Sequence, residues 1–499
     1  MVQRPPRIQH GELAPQVLSK PSAGVWPLVG LLLLSFFIAL DASMPHIALY
    51  EIALSLEAPQ NAALSLVEAY GIAVGLALLL GGALSDYASP RLVTLLGISG
   101  FVASLTLVIQ AITIADAENA RILAGVSAAA LTTSSIGSLR KRGGPAHDLT
   151  VGIVCWTVGF ALGTATGPAI GGLILNILSW QAVFILPGAS IIVLGLALVP
   201  SIVSRPVSLP DARLPKSNLD AAPVVSVLVA SVAGMAFLEL RSAAVVGLVA
   251  ILFLVMLRSG PRQGSRRHLQ TRGPLIGCIC ALVTGMAAVS GIWYGAIKVL
   301  QFGTGLSPAE AGLAMAIPAG VQVGSGLLLL CPAIQKRCSL ATALGGLLAI
   351  TALACAALSQ DNAPWSVILA VAGINAGLTP LAIFSAEKIV RSFHESDAGL
   401  SIAISESSAE LGFAGGLVLF GNLTNLLEVS LAASYEVAPV DCQWHEAINA
   451  SFDIGARCGA LYGDMFFDLL LIIAPCVLAS TAIAVLSMRR HLASAASEC

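Results

Sequence analysis

Carboxylates inside long apolar stretches are the residues of this chain best suited to do chemistry. Asp41, Glu406 and Glu410 stand in apolar runs long enough to cross a bilayer. A carboxylate near mid-bilayer costs about 2.5 to 3.5 kcal/mol on insertion scales, so each one needs a reason to be there. Glu406 and Glu410 are four residues apart and share a helix face, where they compete for charge unless a proton or a cation intervenes.

Such carboxylates can exchange a proton for a cationic substrate, because a bound cation favours the ionised form and a bound proton displaces the cation. We assign Asp41 and Glu406 a proton or substrate role. For Glu410, a coupling role and a helix-packing role remain equally open. Four further residues are candidates for a substrate cavity, with core packing or an interfacial position as the alternative: His46, Tyr70, Trp156 and Tyr294. Lys298 is expected to extend outward to the membrane interface.

The elements that must position these residues are apolar windows of about 20 residues, the length that crosses about 30 Å of hydrocarbon. Fourteen recur: 32–49, 63–80, 92–114, 121–139, 151–177, 182–200, 221–238, 243–257, 275–299, 311–331, 340–358, 365–384, 400–426 and 465–486. Hydrophobic residues make up 57% of the 499 and charged residues only 10%, which excludes a soluble globular protein. The net charge of −2 gives no indication of nucleic acid as a partner.

The loops predict the orientation. Most of the 25 Lys and Arg residues fall in alternate loops, as expected when those loops are cytoplasmic. An even number of spans with both termini inside follows. The sequence contains no recognisable nucleotide, metal or protease motif, so we expect no cofactor, no metal site and no catalytic residues. Cys442 and Cys458 lie in an acidic outer loop, 427–464, where a disulfide and two free thiols are equally open.

Several motifs resemble those of the major facilitator superfamily. Residues 82–91, GALSDYASPR, partly match its GxLxDrxGrr signature, in which Gly82, Asp86 and Arg91 would serve a conformational latch. Residues 163–172, GTATGPAIGG, fully match the antiporter motif GxxxGPxxGG through Gly163, Gly167, Pro168, Gly171 and Gly172. Residues 40–49 resemble the first-span motif of the 14-span drug:proton antiporters. Residues 121–125, RILAG, are similar to the fourth-span RxxxG motif, which implies a proton-relay role for Arg121. An interfacial arginine is the alternative.

The resemblance to 14-span drug:proton antiporters implies an all-α polytopic fold of 6+2+6 helices. It divides the chain into a cytoplasmic tail (1–26), a six-helix bundle (27–204), an inserted helix pair (205–272), a second six-helix bundle (273–487) and a cytoplasmic tail (488–499). The segments LSPAEAG (306–312) and ESSAELG (406–412) are closest to the quaternary ammonium and methyl viologen efflux pumps of that family.

The resemblance and the internal acids together predict a proton-coupled multidrug exporter rather than an enzyme. Its expected partners are protons, small lipophilic cations and the lipid bilayer, and we expect a multi-pass monomer in a bacterial inner membrane. A proton-coupled transporter of one metabolite, such as a siderophore exporter or a nutrient symporter, is the first alternative. A membrane-integral enzyme or sensor is disfavoured, because the loops carry no catalytic insertion.

Overall fold

The computed structural model describes residues 25–85, 90–141, 146–201, 267–329, 331–359, 364–392, 398–437, 442 and 452–496. In this part of the chain the regular structure is helical. The predicted spans at 221–238 and 243–257, Asp86, residues 1–24 of the first predicted tail and residues 497–499 of the second lie outside it. The rest of the second predicted tail, 488–496, belongs to the last described helix. Each of the other twelve predicted spans coincides with a described helix or pair of helices.

The first half contains eight α-helices and one 3₁₀ turn among its described residues. The helices are α1 (Val25–Ser43), α2 (Pro45–Ser55), α3 (Gln60–Ala63), α4 (Ser65–Ser85), α5 (Pro90–Gln110), α6 (Ile114–Lys141), α7 (Ala146–Leu175) and α8 (Ala182–Leu198), and the turn is Val199–Ser201. The first predicted span is broken at Met44, because Pro45 cannot donate the backbone hydrogen bond that would continue α1.

The second half begins with α9 (Arg267–Lys298), which continues into a π-helical turn, Val299–Gly303. The following helices are α10 (Pro308–Leu328), α11 (Pro332–Gln335), α12 (Cys338–Ser359), α13 (Pro364–Arg391), α14 (Ala398–Tyr435) and α15 (Phe452–Ala496). A capping box fixes the start of α10: the Glu310 backbone N–H donates to Ser307 Oγ, and the Ser307 N–H donates to Glu310 Oε2 at 2.9 Å.

Nine helices of the described chain are long and apolar enough to span a membrane, and the shorter apolar segments Ser65–Leu78 and Ala182–Leu198 add to them. Helix α14 extends through Tyr435, beyond the point at which the sequence predicts an outer loop, because the apolar repeat continues past Leu426. Cys442 and Cys458 form a disulfide that ties the chain between α14 and α15 to the second turn of α15.

Two groups of helices pack around separate cores. In the first half, α6 packs between α4 and α5, and α1 packs against α7 and α8. In the second half, α9 packs against α13, α14 and α15, and α12 packs against α13 and α15. Among the described residues, the two most extensive contacts between the halves form seams, one between α4 and α14 and the other between α7 and α10. The candidate carboxylates lie beside these seams.

Candidate functional site

A buried ion pair joins α1 to α6. Arg121 Nη1 donates to Asp41 Oδ2 at 2.9 Å, and Nη2 donates to the Asp41 carbonyl oxygen at 3.0 Å. The side chains are 1% and 2% exposed. The guanidinium carbon lies 4.0 Å from the centre of the Tyr70 ring and 5.1 Å from that of Phe184. The sequence suggested Arg121 at the start of a span; the structure turns it into the helix bundle, where a carboxylate and two aromatic faces hold it.

The ion pair leaves some polar atoms without a hydrogen-bond partner in the described part of the chain. These buried atoms are Arg121 Nε, the Tyr70 hydroxyl and His46 Nε2. An unsatisfied buried polar group typically costs about 1 to 3 kcal/mol, so the incomplete hydrogen bonding around the ion pair lowers the stability of this arrangement. A change in the charge of Asp41 would weaken its hold on Arg121, because the carboxylate accepts one of the two hydrogen bonds from the guanidinium and supplies the opposite charge.

His46 lies beside the break between α1 and α2, where the chain contacts α14 of the second half. Its Nδ1 is 3.2 Å from the Ser43 carbonyl oxygen, and its ring meets the Phe413 ring of α14 edge to face, with the ring centres 6.1 Å apart. Tyr70 is also near the seam, within electrostatic reach of Asp41, Arg121 and Glu410. Tyr70 is therefore close to one acid from each half, Asp41 and Glu410.

Helix α14 presents one stripe to the first half, which we call the α14 stripe. Its residues stand at positions i, i+4, i+7 and i+11 of the helix: Glu406, Glu410, Phe413 and Leu417. Leu417 belongs to an apolar cluster with first-half residues, and Phe413 contacts His46. Further along the same stripe, Glu410 is half-buried and Glu406 is exposed. Along the stripe the side chains therefore pass from a closed contact at Phe413 and Leu417 to an accessible position at Glu406, and we call this accessible stretch of the α4–α14 seam, toward the start of α14, the cleft.

Neither acid of this stripe has a hydrogen bond or ion pair with any other residue that the structure describes. Ser405 and Ser407, on either side of Glu406, are buried, so the helix turns the carboxylate alone toward the cleft. Glu410 lies within electrostatic reach of Glu406. Two neighbouring carboxylates without a fixed cation can accept protons or bind a mobile cation.

The glycine motif of α7 forms two close interfaces. A Cβ atom on Gly163 would overlap the Phe36 carbonyl oxygen, and one on Gly167 would overlap the Ser43 hydroxyl, so α1 packs directly on this face. Gly171 continues the face at Met44 and Ile47. Glycines at this spacing let two helix backbones approach closely.

The other face of the motif belongs to the α7–α10 seam between the halves. A Cβ atom on Gly172 would lie 2.7 Å from Ala309 Cα, and one on Gly312 would lie 2.6 Å from the Pro168 carbonyl carbon. The motif thus joins α1 on one side to α10 of the second half on the other.

Gly312→Ala is expected to destabilise this seam, because the added methyl group has no space against the Pro168 carbonyl. Overpacking of this kind costs about 1 to 3 kcal/mol. Gly320→Ala on the same helix is the matched control, since no atom lies within 4 Å of the Cβ that it would add. Thermal unfolding of the purified protein should show a lower midpoint for the first variant only. Equal midpoints for the two variants would contradict the packing described here.

The remaining predicted site residues are placed as follows. Trp156 is buried in the core of the first half together with Tyr70. Arg91 is exposed in the first turn of α5, and Gly82 lies in the last turn of α4. Their motif partner Asp86 is outside the described residues, so the latch stays a prediction. Tyr294 is buried and donates to Asn425 Oδ1 at 3.3 Å.

The prediction that Lys298 extends outward to the interface is wrong. Lys298 is buried and donates to Glu428 Oε2 at 2.5 Å and to Asn425 Oδ1 at 2.7 Å. The sequence interpretation missed this pair because it placed Glu428 in the outer loop. The signal was present: Asn425 and Glu428 are three residues apart on an apolar helical repeat that continues beyond residue 426.

Comparison with known proteins agrees with the fold. Residues 31–417 match the model of the Major Facilitator Superfamily. The multidrug efflux pump LfrA of Mycolicibacterium smegmatis is 25% identical over 435 residues, which cover 83% of each chain. The methyl viologen resistance protein SmvA of Salmonella typhimurium is 26% identical over 442 residues, covering 86% of this chain and 87% of that protein.

A crystal structure of the peptide transporter POT in complex with sulfate has the same fold, with a TM-score of 0.63 and 16% identity. The match covers 92% of this chain and 97% of that one. The family model covers most of the chain, and the two relatives that also match over most of it are a multidrug efflux pump and a methyl viologen resistance protein. The resemblance read from the motifs is confirmed: this chain belongs to the Major Facilitator Superfamily of integral membrane transporters.

Proposed function

We propose that this protein exports lipophilic and quaternary ammonium cations in exchange for protons. The observation that carries the proposal is the α14 stripe, where Glu406 and Glu410 face a cleft between the halves without a fixed cation among the described residues. An acidic wall of this kind attracts cations and rejects anions. The similarity to LfrA and SmvA, a multidrug efflux pump and a methyl viologen resistance protein, supports the same substrate class.

Proton and substrate compete for the same carboxylates in the proposed cycle. When the cleft faces the cytoplasm, Glu406 and Glu410 release protons inward and bind the cation. When it faces outward, protons from the exterior bind these acids and the cation leaves. Exchange of one proton for one monovalent cation is electroneutral, and each additional proton uses about 2.3 kcal/mol per 100 mV of membrane potential. Asp41 supplies a further proton site in the first half.

Asp41 and Arg121 connect protonation to the movement of helices. Protonation of Asp41 removes the charge that holds Arg121, and the guanidinium then keeps only its hydrogen bond to the Asp41 carbonyl oxygen and the Tyr70 and Phe184 rings beside it. Because Tyr70 lies near both Arg121 and Glu410, a movement of Arg121 changes the electrostatic environment of the α4–α14 seam. We infer that the ion pair is closed in one state of the cycle and open in the other.

Alternating access follows from the placement of the seams. The α7–α10 contacts gather near the start of α10, whereas no atom lies within 4 Å of a Cβ added at Gly320 or Gly324 further along that helix. With both termini in the cytoplasm, as the basic loops predict, the closed end is the outer end. The structure would then be the inward-open state of a 14-span transporter in the bacterial inner membrane, which rocks about the two seams.

Inverted membrane vesicles provide the test. In vesicles energised to acidify the lumen, added ethidium or methyl viologen should dissipate the proton gradient, seen as recovery of a quenched pH-gradient dye, and should accumulate inside. An uncoupler should abolish the accumulation, because protons drive it. Vesicles without the protein are the control. If no cation of a broad panel is accumulated, the proposal fails and dedicated transport of a single metabolite becomes the better explanation.

A further inference from the structure

A second buried charge cluster lies in the second half, away from the cleft acids. Lys298 of α9 and Glu428 of α14 form an ion pair with both side chains about 5% exposed. The Tyr462 hydroxyl of α15 donates to Glu428 Oε1, and Asn425 accepts from both Lys298 and Tyr294. The cluster thus joins three helices. Asn425 Nδ2 is the one buried polar side-chain atom of the cluster without a hydrogen-bond partner in the described part of the chain, so most of the hydrogen-bonding capacity of the cluster is used within the protein.

The cluster is positioned beside a rare backbone feature. Lys298 is the last residue of α9, and the π-helical turn Val299–Gly303 begins at the next residue. Turns of this type are uncommon, occur frequently at functional sites, and need support because their geometry is less favourable than that of an α-helix. The Lys298 side chain provides such support by fixing the start of the turn to α14.

The π-helical turn also contacts α2 of the first half. Gln301 Nε2 is 3.4 Å from the Ile47 carbonyl oxygen, and the Phe302 ring meets the Tyr50 ring edge to face, with the ring centres 6.0 Å apart. Phe302 also stacks at 5.7 Å on Tyr462, the residue that donates to Glu428. A chain of contacts therefore runs from the ion pair to the break in the first span.

We propose that Lys298 and Glu428 are positioning residues for transport. They hold the turn Val299–Gly303 so that Gln301 and Phe302 stay in contact with α2 and close the outer end of the interface between the halves. In the outward-facing state the contacts of Gln301 and Phe302 with α2 break, while the ion pair stays within the second half. The pair then sets how firmly the closed end is sealed. This inference rests on the proposed alternating access, but it does not depend on which substrate is carried.

Hydrogen exchange of the purified protein, followed by mass spectrometry, tests the inference without substrate or gradient. Lys298→Met combined with Glu428→Gln removes both charges and keeps the side-chain volumes, because a single substitution would leave one charge buried and unpaired. Exchange should accelerate about tenfold, a typical size for coupling between sites, in peptides from residues 299–306 and from α2. Helix α12 should exchange as before.

Two further variants separate positioning from general stability. Lys298→Arg keeps the ion pair and should restore slow exchange in α2. Arg457→Gln removes the exposed ion pair with Glu436, at 3.7 Å, and should leave α2 unchanged. Acceleration confined to α9, α14 and α15, or no acceleration, would overturn the inference. In that outcome a positive result in the vesicle assay would still support the proposed function, so the two failures are distinguishable.

Discussion

Asp41→Asn is expected to abolish proton-driven cation export, reducing uncoupler-sensitive accumulation in inverted vesicles to that of vesicles without the protein. The substitution keeps the shape of the side chain but removes its charge, so the group no longer binds and releases a proton at any accessible pH. It also leaves Arg121 buried beside Tyr70 without a counter-charge. Breaking a buried pair in this way costs about 3 to 5 kcal/mol, so the loss of transport must be separated from a loss of folding.

The double variant Asp41→Asn with Arg121→Gln makes that separation. It removes both charges, and replacement of a whole buried pair is far less destabilising than removal of one partner. Its thermal midpoint should return toward that of the unmodified protein, while export stays at background. Recovery of export in the double variant would mean that Asp41 serves only to neutralise Arg121. Unchanged export in the single variant would exclude Asp41 from coupling altogether.

The helices are the part of this structure that sequence reasoning predicts best. A span is encoded locally, by about 20 consecutive apolar residues, and its ends are encoded by residues such as Pro45, Ser307 and Pro308, which act within one turn. The glycine motif is equally local. Its four-residue spacing dictates a smooth helix face, and the structure places α1 on that face.

The partners of the buried charges are not encoded locally. Arg121 and Asp41 are 80 residues apart, and Lys298 and Glu428 are 130 residues apart, so each pairing depends on how the bundles assemble. For Arg121, the motif suggested a role without indicating its counter-ion. For Lys298, a long flexible side chain near the end of a span is compatible with interfacial exposure or with burial, and only the position of Glu428 decides between them.

Glu406→Gln is expected to abolish proton-driven export as completely as Asp41→Asn, but without a cost in stability. Glu406 faces the cleft and has no ion-pair partner among the described residues, so its neutralisation leaves no opposing charge buried. The thermal midpoint should therefore equal that of the unmodified protein. Glu436→Gln is the matched control and should export normally. Glu436 is exposed, follows the last residue of α14 and forms only a long ion pair with Arg457, at 3.7 Å. Normal export by Glu406→Gln would remove the α14 stripe from the mechanism.

Binding measurements on the same variant distinguish a substrate contact from a proton site. One charge pair at 4 Å is worth about 1 kcal/mol at the permittivity of water and about 4 kcal/mol at an effective permittivity of about 20. Methyl viologen carries two positive charges on separate rings, so it interacts more strongly with the carboxylate than monovalent ethidium does, although by less than a factor of two. If Glu406 contacts the substrate, Glu406→Gln should weaken methyl viologen binding by roughly two- to tenfold more than ethidium binding, since each 1.4 kcal/mol is a factor of about ten and the second charge adds a fraction of one pair's energy. Equal losses for the two cations would instead assign Glu406 to proton transfer alone, with Glu410 as the remaining carboxylate of the stripe that binds the cation.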